Sequence, residues 1–223
     1  PGFRKIKMAK VKKKLSKIKT KKKTWFRVIA PALFSNAQIG ESYLSAPEKA
    51  IGRLMKVNMR DLTNNVKDQN AYIQLKITEV KNSILQTSVV GYQLTSAYVK
   101  RAIKKGTARM DFHCIVKTKD NVEVILKPLM VARNRIQKSV KTELRAKLNQ
   151  YLTEEAGKNT FSGFMGLIIN FRLQNGAKKR LSKVYPLKEV AYRVVKVKDV
   201  SKVGGVKAKE EVSDAKVSEE VKA

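Results

Sequence analysis

The sequence predicts an α+β fold: an antiparallel β-sheet that forms a small β-barrel, with flanking α-helices and a basic N-terminal extension. Two patterns predict this class. Several segments alternate apolar and polar residues, as strands with one buried face do, and others carry apolar residues at helical spacing. Hydrophobic residues make up 43% of the 223 residues, which is near the average of globular proteins.

Charged residues divide the chain into three parts. Residues 1–23 contain 12 basic and no acidic residues, residues 24–199 contain 32 basic and 13 acidic residues, and residues 200–223 contain five of each. Because like charges resist packing together, we expect 1–23 to be an arm that is disordered when free. We assign one folded domain to 24–199 and a polar, solvated tail to 200–223.

Five apolar rows predict half-buried strands. They are Met55, Val57 and Met59; Ile73, Leu75 and Ile77; Met110, Phe112, Cys114 and Val116; Val122, Val124 and Leu126; and Val190, Tyr192 and Val194. The pair Asp120-Asn121, between the third and fourth rows, predicts a hairpin turn. Residues 84–90 are rich in β-formers but alternate poorly, which predicts a strand buried on both faces.

Two segments with helical spacing interrupt the strands. The first begins after Thr95, a favourable N-cap, and is expected to end at Gly106, which can adopt a left-handed conformation. The second runs from about 137 to 155. Its apolar stripe consists of Val140, Leu144, Leu148 and Tyr151. A third helical or mixed segment is expected over 161–173.

The composition limits the classes of function. A formal net charge of +31 predicts a polyanionic partner, because an unneutralised surplus of this size opposes a compact fold. A disulfide scaffold and a four-ligand zinc site are excluded, since the chain has one Cys and one His. Without an apolar run of about 18 residues, we expect no membrane partner and an intracellular location.

Enzyme motifs fail one by one. Residues 163–166 contain glycines but lack the following Lys-Ser/Thr of a phosphate-binding loop. His113 and Cys114 are neighbours on a predicted strand, so their side chains point to opposite faces and cannot form a catalytic pair. Scattered carboxylates could assemble a Mg²⁺ nuclease site, but nothing in their spacing requires it. We therefore expect no catalytic residue, no metal and no cofactor.

The candidate RNA contacts are clusters of basic residues with one aromatic neighbour. A solvated helix face usually mixes both signs of charge, whereas these clusters are almost purely basic. The candidates are Lys12, Lys13, Lys14, Lys21, Lys22, Lys23, Trp25, Arg27, Arg53, Lys100, Arg101, Lys104, Lys105, Arg133, Arg135, Lys138, Lys141, Arg145, Lys178, Lys179 and Arg180. Other interpretations stay open: a nuclear-localisation patch or passive tail for the arm, and a core anchor for Trp25.

Three stretches, in order along the chain, carry a family resemblance. Residues 25–34 fit a Trp-x-x-Val-x-Ala-Pro-x-x-Phe opening, residues 47–63 fit a Gly-Arg…Asp-Leu block, and residues 184–190 fit an Ile-Tyr-Pro-Leu segment with Val184 in place of Ile. Together they resemble the archaeal and eukaryotic S-three-A-e (e-S-one) family of small-ribosomal-subunit proteins. Lys56 departs from the pattern, since the family usually has an acidic residue there.

The resemblance implies a β-barrel flanked by helices that binds rRNA on the platform of the small subunit, near the mRNA exit site. It implies a structural constituent that supports subunit assembly and translation, with an rRNA-binding arm. Implied partners are small-subunit rRNA, neighbouring platform proteins and mRNA near the exit site, in the cytoplasm, after nucleolar assembly in a eukaryote. Two rival functions remain: a free-standing RNA- or DNA-binding regulator and a metal-dependent nuclease.

Overall fold

The computed structural model describes residues 22–199. Within this range the chain forms a mixed sheet of nine strands and five α-helices, which confirms the predicted α+β class. The predicted arm, except for Lys22 and Lys23, and the predicted tail over 200–223 lie outside the described residues.

Along the described chain, most strands precede the three long helices, and one strand follows them. The strands are β1 (Thr24–Ile29), β2 (Gln38–Leu44), β3 (Leu54–Asn58), β4 (Ala71–Lys81), β5 (Ile84–Leu94), β6 (Ala108–Asp111), β7 (Cys114–Lys117), β8 (Glu123–Ala132) and β9 (Leu187–Val197). The helices are α1 (Met59–Thr63), α2 (Ser96–Ala102), α3 (Lys138–Lys158), α4 (Phe161–Ile169) and α5 (Arg172–Leu181). Short 3-10 turns cover Ala32–Phe34, Pro47–Ala50 and Val66–Asn70.

The sheet branches instead of closing. β4 pairs with β3 and β5, and the other edge of β5 is shared by β1 near its start and β9 near its end. β9 also pairs with β8, whose far edge is shared by β6 and β7. Within the described residues β2, β3, β6 and β7 each have one strand partner, so the sheet is open and the predicted barrel is not closed. The β1–β5 pair is parallel, and the others are antiparallel.

Helices cover both faces of β8. On one face α3, α4 and α5 bury the larger core, in which Leu148, Phe164 and Tyr192 are fully enclosed. On the other face Val99 of α2 packs against Leu129, in a small separate cluster. Each such buried side chain contributes about 1.5–3 kcal/mol relative to an exposed one. The second half of β8 is therefore a rigid element on which the surrounding loops are placed.

The third apolar row is split, which the alternation did not predict. β6 ends at Asp111 and β7 begins at Cys114, and the gap faces Pro128 in β8. Proline has no N–H to donate to a neighbouring strand, so the ladder is interrupted at that position. The register of β8 with β9 also shifts between Lys127 and Pro128. One proline thus explains both irregularities.

Four further expectations have mixed outcomes. The strand over 84–90 is confirmed as β5, but burial on both faces holds only from Val89 onward, because Gln86 is exposed and Ser88 is half-buried. The hairpin turn is confirmed by Asn121 with φ 55° between β7 and β8. Met59 begins α1 instead of continuing a strand, because the Asn58 side chain caps the N–H of Arg60. Thr95 caps α2 as predicted, but α2 ends at Ala102, and Gly106 lies in the following turn with φ 87°.

The close approach of β5 and β9 predicts that position 91 must be glycine. A Cβ on Gly91 would lie 2.9 Å from the carbonyl oxygen of Val195 and 3.1 Å from Oε1 of Gln74. We expect Gly91→Ala to lower the free energy of unfolding by about 1–3 kcal/mol, as overpacking does, measured by urea denaturation. Gly40→Ala in β2 is the control, because its Cβ would meet nothing within 4 Å. Equal stability of both variants would contradict this account.

The single cysteine is a structural residue of the core. Cys114 is buried, and burial raises the pKa of its thiol to about 12, whereas the neighbouring His113 is exposed. The thiolate is the reactive form, so at pH 8 the folded protein should react slowly with a thiol reagent. We expect rapid labelling of Cys114 only after unfolding in denaturant. Rapid, complete labelling of the folded protein would refute the buried placement.

Candidate nucleic-acid interface

Three connecting segments meet at one end of the sheet. In the strand register Ala132, the last residue of β8, lies opposite both Ala108 at the start of β6 and Leu187 at the start of β9. The turn before β6, the connection after β8 and the entry into β9 are therefore neighbours. Segments that are far apart in the sequence converge there.

These segments and the adjoining ends of α2 and α5 bring basic side chains together, and we call their surface the basic end. It comprises Arg101, Lys104, Lys105, Arg133, Arg135, Lys178 and Lys188. All are exposed except Lys188, which is half-buried. Six of the seven belong to the candidates selected from the sequence, so the fold brings three of the predicted clusters together.

Local contacts hold the basic end in place. The Lys188 ammonium donates to the carbonyl oxygen of Ala102 at 2.9 Å, and the Lys178 ammonium donates to the carbonyl oxygen of Lys188 at 2.8 Å. A cation at the last carbonyl of α2 also complements the helix dipole. Arg101 donates to Oδ1 of Asn70 at 2.5 Å. The ends of α2 and α5 are thereby tied to the first residues of β9.

A tight turn presents the lysines that follow α2. The hydroxyl of Thr107 donates to the carbonyl oxygen of Lys104 at 2.6 Å and accepts from its N–H at 3.1 Å. Gly106 permits this turn because its φ of 87° is unfavourable for residues with a Cβ. Lys104 and Lys105 consequently project from a defined backbone.

Ion pairing leaves the basic end uncompensated. Within residues 22–199, the side chains of Lys104, Lys105, Arg133 and Arg135 form no ion pair. The acidic residues that form ion pairs within residues 22–199 do so elsewhere. Glu189 is the acidic residue beside the basic end, where it lines a groove with Arg101 and Lys104 and accepts a hydrogen bond from Tyr98. Lys198, 2.8 Å from Glu123, holds the pKa of that carboxyl below its usual value. Fixed positive charges without acidic partners are what a phosphate-binding surface requires.

The face of α3 extends this surface. Lys138 and Arg145 are exposed and Lys141 is half-buried, and none of the three forms an ion pair among the described residues. The predicted apolar stripe is confirmed, since Leu144, Leu148 and Tyr151 are buried. Lys147, by contrast, pairs with Glu143 at 2.6 Å. The basic face of α3 follows directly on Arg135 along the chain.

A separate feature lies on the outer face of β1 and β2. Phe26 and Val28 point into a small core, so Trp25 and Arg27 point outward. Trp25 is 66% exposed, and its ring centroid lies 4.9 Å from that of Tyr43. We call these two rings the aromatic platform. Because Trp25 is exposed, it is not the core anchor that the sequence left open.

Basic residues border the aromatic platform. The Lys23 ammonium lies 5.6 Å from the centre of the Tyr43 ring, and Arg27 is exposed on the same strand face as Trp25. Exposed rings flanked by cations are typical of surfaces on which unpaired bases stack.

The remaining candidates are placed as follows. Lys22, Arg53, Lys100 and Lys179 are exposed. Arg180 donates to Oε2 of Glu154 at 2.7 Å and lies 4.8 Å from the centre of the Tyr151 ring, so it ties α5 to α3. Lys12, Lys13, Lys14 and Lys21 lie outside the described residues.

Sequence reasoning missed a basic groove that is separate from the basic end. Arg109, Arg193 and Lys100 line a groove of about 430 Å³ between α2 and the sheet. Asp111 lies between the two arginines, 2.6 Å from Arg109 and 3.9 Å from Arg193. The alternation of the strands could have identified both arginines, because Arg109 and Arg193 occupy polar positions next to the apolar residues of two predicted strands. Lys188 was missed because one lysine at a strand entry forms no cluster in the sequence.

Two other kinds of feature concern residues 22–199, namely metal centres and membrane-spanning helices. No group of three or more His, Cys, Asp or Glu side chains there could hold a metal ion. No helix in the described part of the chain has the length and apolar character to cross a membrane.

Comparison with known proteins identifies the family of the chain. A model of the Ribosomal S3Ae family matches residues 10–201. The small ribosomal subunit protein eS1 of Methanobrevibacter smithii is 32% identical over 76% of this chain and 88% of its own length. The proteins of the same name from Methanothermobacter thermautotrophicus and Nanoarchaeum equitans are each 30% identical, over 82% and 74% of this chain and 94% and 84% of theirs. The chain therefore belongs to the Ribosomal S3Ae family.

Proposed function

We propose that this chain is a structural constituent of the small ribosomal subunit and binds rRNA through the basic end and the adjoining face of α3. The observation that carries the proposal is the convergence of uncompensated basic side chains from the α2–β6 turn, the β8–α3 connection and the entry into β9. The relatives named small ribosomal subunit protein eS1 support the assignment.

The mechanism is electrostatic, with the fold setting the position. Each phosphate that Lys or Arg neutralises releases counterions, and this release supplies most of the affinity. Such contacts fix register and orientation without reading sequence. Arg133 and Arg135 offer planar guanidinium groups that can bind phosphate oxygens in pairs. Lys104 and Lys105 act as compact point charges.

The proposed location is the platform of the subunit, near the mRNA exit site, in the cytoplasmic ribosome. The family resemblance of residues 25–34, 47–63 and 184–190 supports it. Platform proteins and mRNA near the exit site are the proposed neighbours, and support of subunit assembly is the proposed task. We propose no catalysis by the chain itself. The arm, with Lys12–Lys14 and Lys21–Lys23, is proposed to order on rRNA.

The aromatic platform gives the interface a second mode of contact. Bases that are unstacked in a loop or at an end of rRNA can lie on Trp25, while Lys23 and Arg27 bind the adjacent phosphates. This mode tolerates any base, because every base has a planar face.

The salt dependence of RNA binding tests the basic end. We expect the triple variant Lys104→Ala, Lys105→Ala, Arg133→Ala to reduce the slope of log K against log salt by about 2, since each lost contact on single-stranded RNA removes about 0.7. Fluorescence anisotropy with a labelled single-stranded rRNA segment measures the slope.

The matched control removes three lysines elsewhere. Lys49, Lys67 and Lys81 are exposed and lie in or beside other elements, so Lys49→Ala, Lys67→Ala, Lys81→Ala has the same net charge as the test variant. Equal slopes for both triple variants would show that only net charge matters, and would overturn the assignment of the basic end.

Trp25 provides a direct optical test of the aromatic platform, because it is the one tryptophan of the chain. We expect single-stranded RNA to quench its fluorescence, and Trp25→Ala to weaken binding by about 1–3 kcal/mol, the contribution of one stacked base. Leu54→Ala is the control, since Leu54 is equally exposed at 63%. Saturating RNA without any fluorescence change would argue against stacking.

A further inference from the structure

The sheet has an exposed face on the side away from the larger core. Lys196 of β9 lies opposite Ile125 in β8, which in turn lies opposite Ile115 in β7. Their strand neighbours Val195 and Leu126 are buried in the larger core, so this row of side chains points to the other side of the sheet. The same alternation places six side chains there, and we call them the outer face: Ile115, Lys117, Ile125, Lys127, Val194 and Lys196.

The outer face is open to solvent within residues 22–199. Ile115 is 51% exposed, Lys117 and Lys196 are exposed, and the other three side chains are half-buried. On this side α2 covers only the second half of β8, where Val99 packs against Leu129. The first half of β8, together with β7 and β9, is therefore available to a partner.

The outer face continues into the groove lined by Lys100, Arg109 and Arg193, which we call the α2 groove. Val194 lines this groove and also belongs to the outer face. Among the described residues no acidic side chain lines the groove, and Asp111 contacts both arginines, so three basic residues share one carboxylate. A guanidinium has five N–H donors, so contact with one carboxylate leaves donors for a phosphate.

Like charges lie close together on the outer face. Lys127 and Lys196 are diagonal neighbours on β8 and β9, a relation that corresponds to a separation of about 7–8 Å. Neither of them forms an ion pair within residues 22–199. Glu123, which lies opposite Lys117 in the register, is bound by Lys117 and Lys198. A polyanion would offset the repulsion between Lys127 and Lys196, which favours a ligand that carries phosphates.

α2 separates the outer face from the basic end. Lys100 lines the α2 groove on one side of this helix. Arg101 and Lys104 line the groove on its other side, together with Lys188 of the basic end. The two basic surfaces can therefore be occupied separately.

The mixture of lysines and apolar side chains selects single-stranded RNA as the occupant. A duplex offers a protein mainly phosphates and sugars, whereas an unpaired strand also exposes the planar faces of its bases. Ile115, Ile125 and Val194 provide an apolar surface for such faces, and lysines lie beside them for the phosphates. Binding of unpaired strands on the open face of a β-sheet is an established mode of RNA recognition.

We propose that the outer face and the α2 groove bind a single-stranded RNA segment separate from the one on the basic end, so that the chain holds two RNA segments together. The inference rests on the proposed binding of rRNA and adds a second surface to it. Bases pack on the apolar side chains of β7, β8 and β9. Lys127 and Lys196 bind the phosphates between these bases, and Arg193 binds the next phosphate in the groove.

The test measures the reactivity of individual lysines in the full chain. An amine-reactive ester acylates the protein with and without a short single-stranded oligouridylate, and mass spectrometry quantifies each site. We expect RNA to cause a loss of reactivity at Lys127 and Lys196. Lys49 and Lys67 are internal controls, because both are exposed and lie in other elements, and they should keep their reactivity.

The same measurement on Lys104→Ala, Lys105→Ala, Arg133→Ala tests whether the two surfaces are separate. We expect the RNA-dependent loss of reactivity at Lys127 and Lys196 to persist in this variant. Adding Lys127→Ala and Lys196→Ala to it should reduce the slope of log K against log salt by a further 1.4 or about that, since each lost contact removes about 0.7. Adding Lys49→Ala and Lys67→Ala instead removes the same charge and should leave the slope unchanged.

The outcomes separate this inference from the proposed function. No salt-dependent binding of RNA by the wild type would overturn the proposed function itself. RNA binding that leaves Lys127 and Lys196 reactive would overturn only the second surface. Protection that disappears in the basic-end variant, or equal slopes for the two added pairs of substitutions, would overturn its independence.

Three further outcomes would assign the outer face to another occupant. Equal protection by an RNA duplex would overturn the choice of a single strand. Protection by polyglutamate and none by RNA would assign the face to an acidic protein. Lysines that are unreactive in the free chain and become reactive on deletion of 200–223 would assign the face to that segment.

Discussion

The pairing of β9 with both β5 and β8 is the interaction on which the rest of the structure depends. β9 joins the half of the sheet that contains β1 to β5 to the half that contains β6 to β8. The close approach of Gly91 to the Val195 carbonyl shows how tightly the two halves meet. Because β9 enters the sheet at Leu187, it also brings Lys188 and Glu189 to the end of α2. The same strand therefore completes the core and assembles the basic end.

The second constraint is the distribution of a small number of acidic residues. Asp111, Glu123 and Glu154 neutralise basic residues of the sheet and of α5, where the elements pack closely. None of these three lies at the α2–β6 turn or the β8–α3 connection. These three acidic residues thus neutralise basic residues at other surface positions, and the basic end stays strongly positive. A protein with such a surface depends on a polyanion to offset the repulsion among its charges.

Local patterns in the sequence account for much of the fold, and their failures have physical causes. Alternation identified the buried faces of Ile73 to Ile77, and helical spacing identified Leu144 and Leu148. The split opposite Pro128 was missed because it depends on a residue of the neighbouring strand, and Pro128 has no N–H to donate across the ladder. Clusters of like charge identified most of the basic end. Lys188 was missed because only the long-range pairing of β9 brings it to the end of α2.

The most direct test of the central claim is sedimentation of the tagged protein through sucrose gradients, with the wild type and the triple variant Lys104→Ala, Lys105→Ala, Arg133→Ala in parallel. The account predicts that the wild type migrates stoichiometrically with the small subunit and is released only at high salt. The variant is predicted to dissociate at lower salt. A wild-type protein that remains mainly at the top of the gradient would contradict the ribosomal assignment.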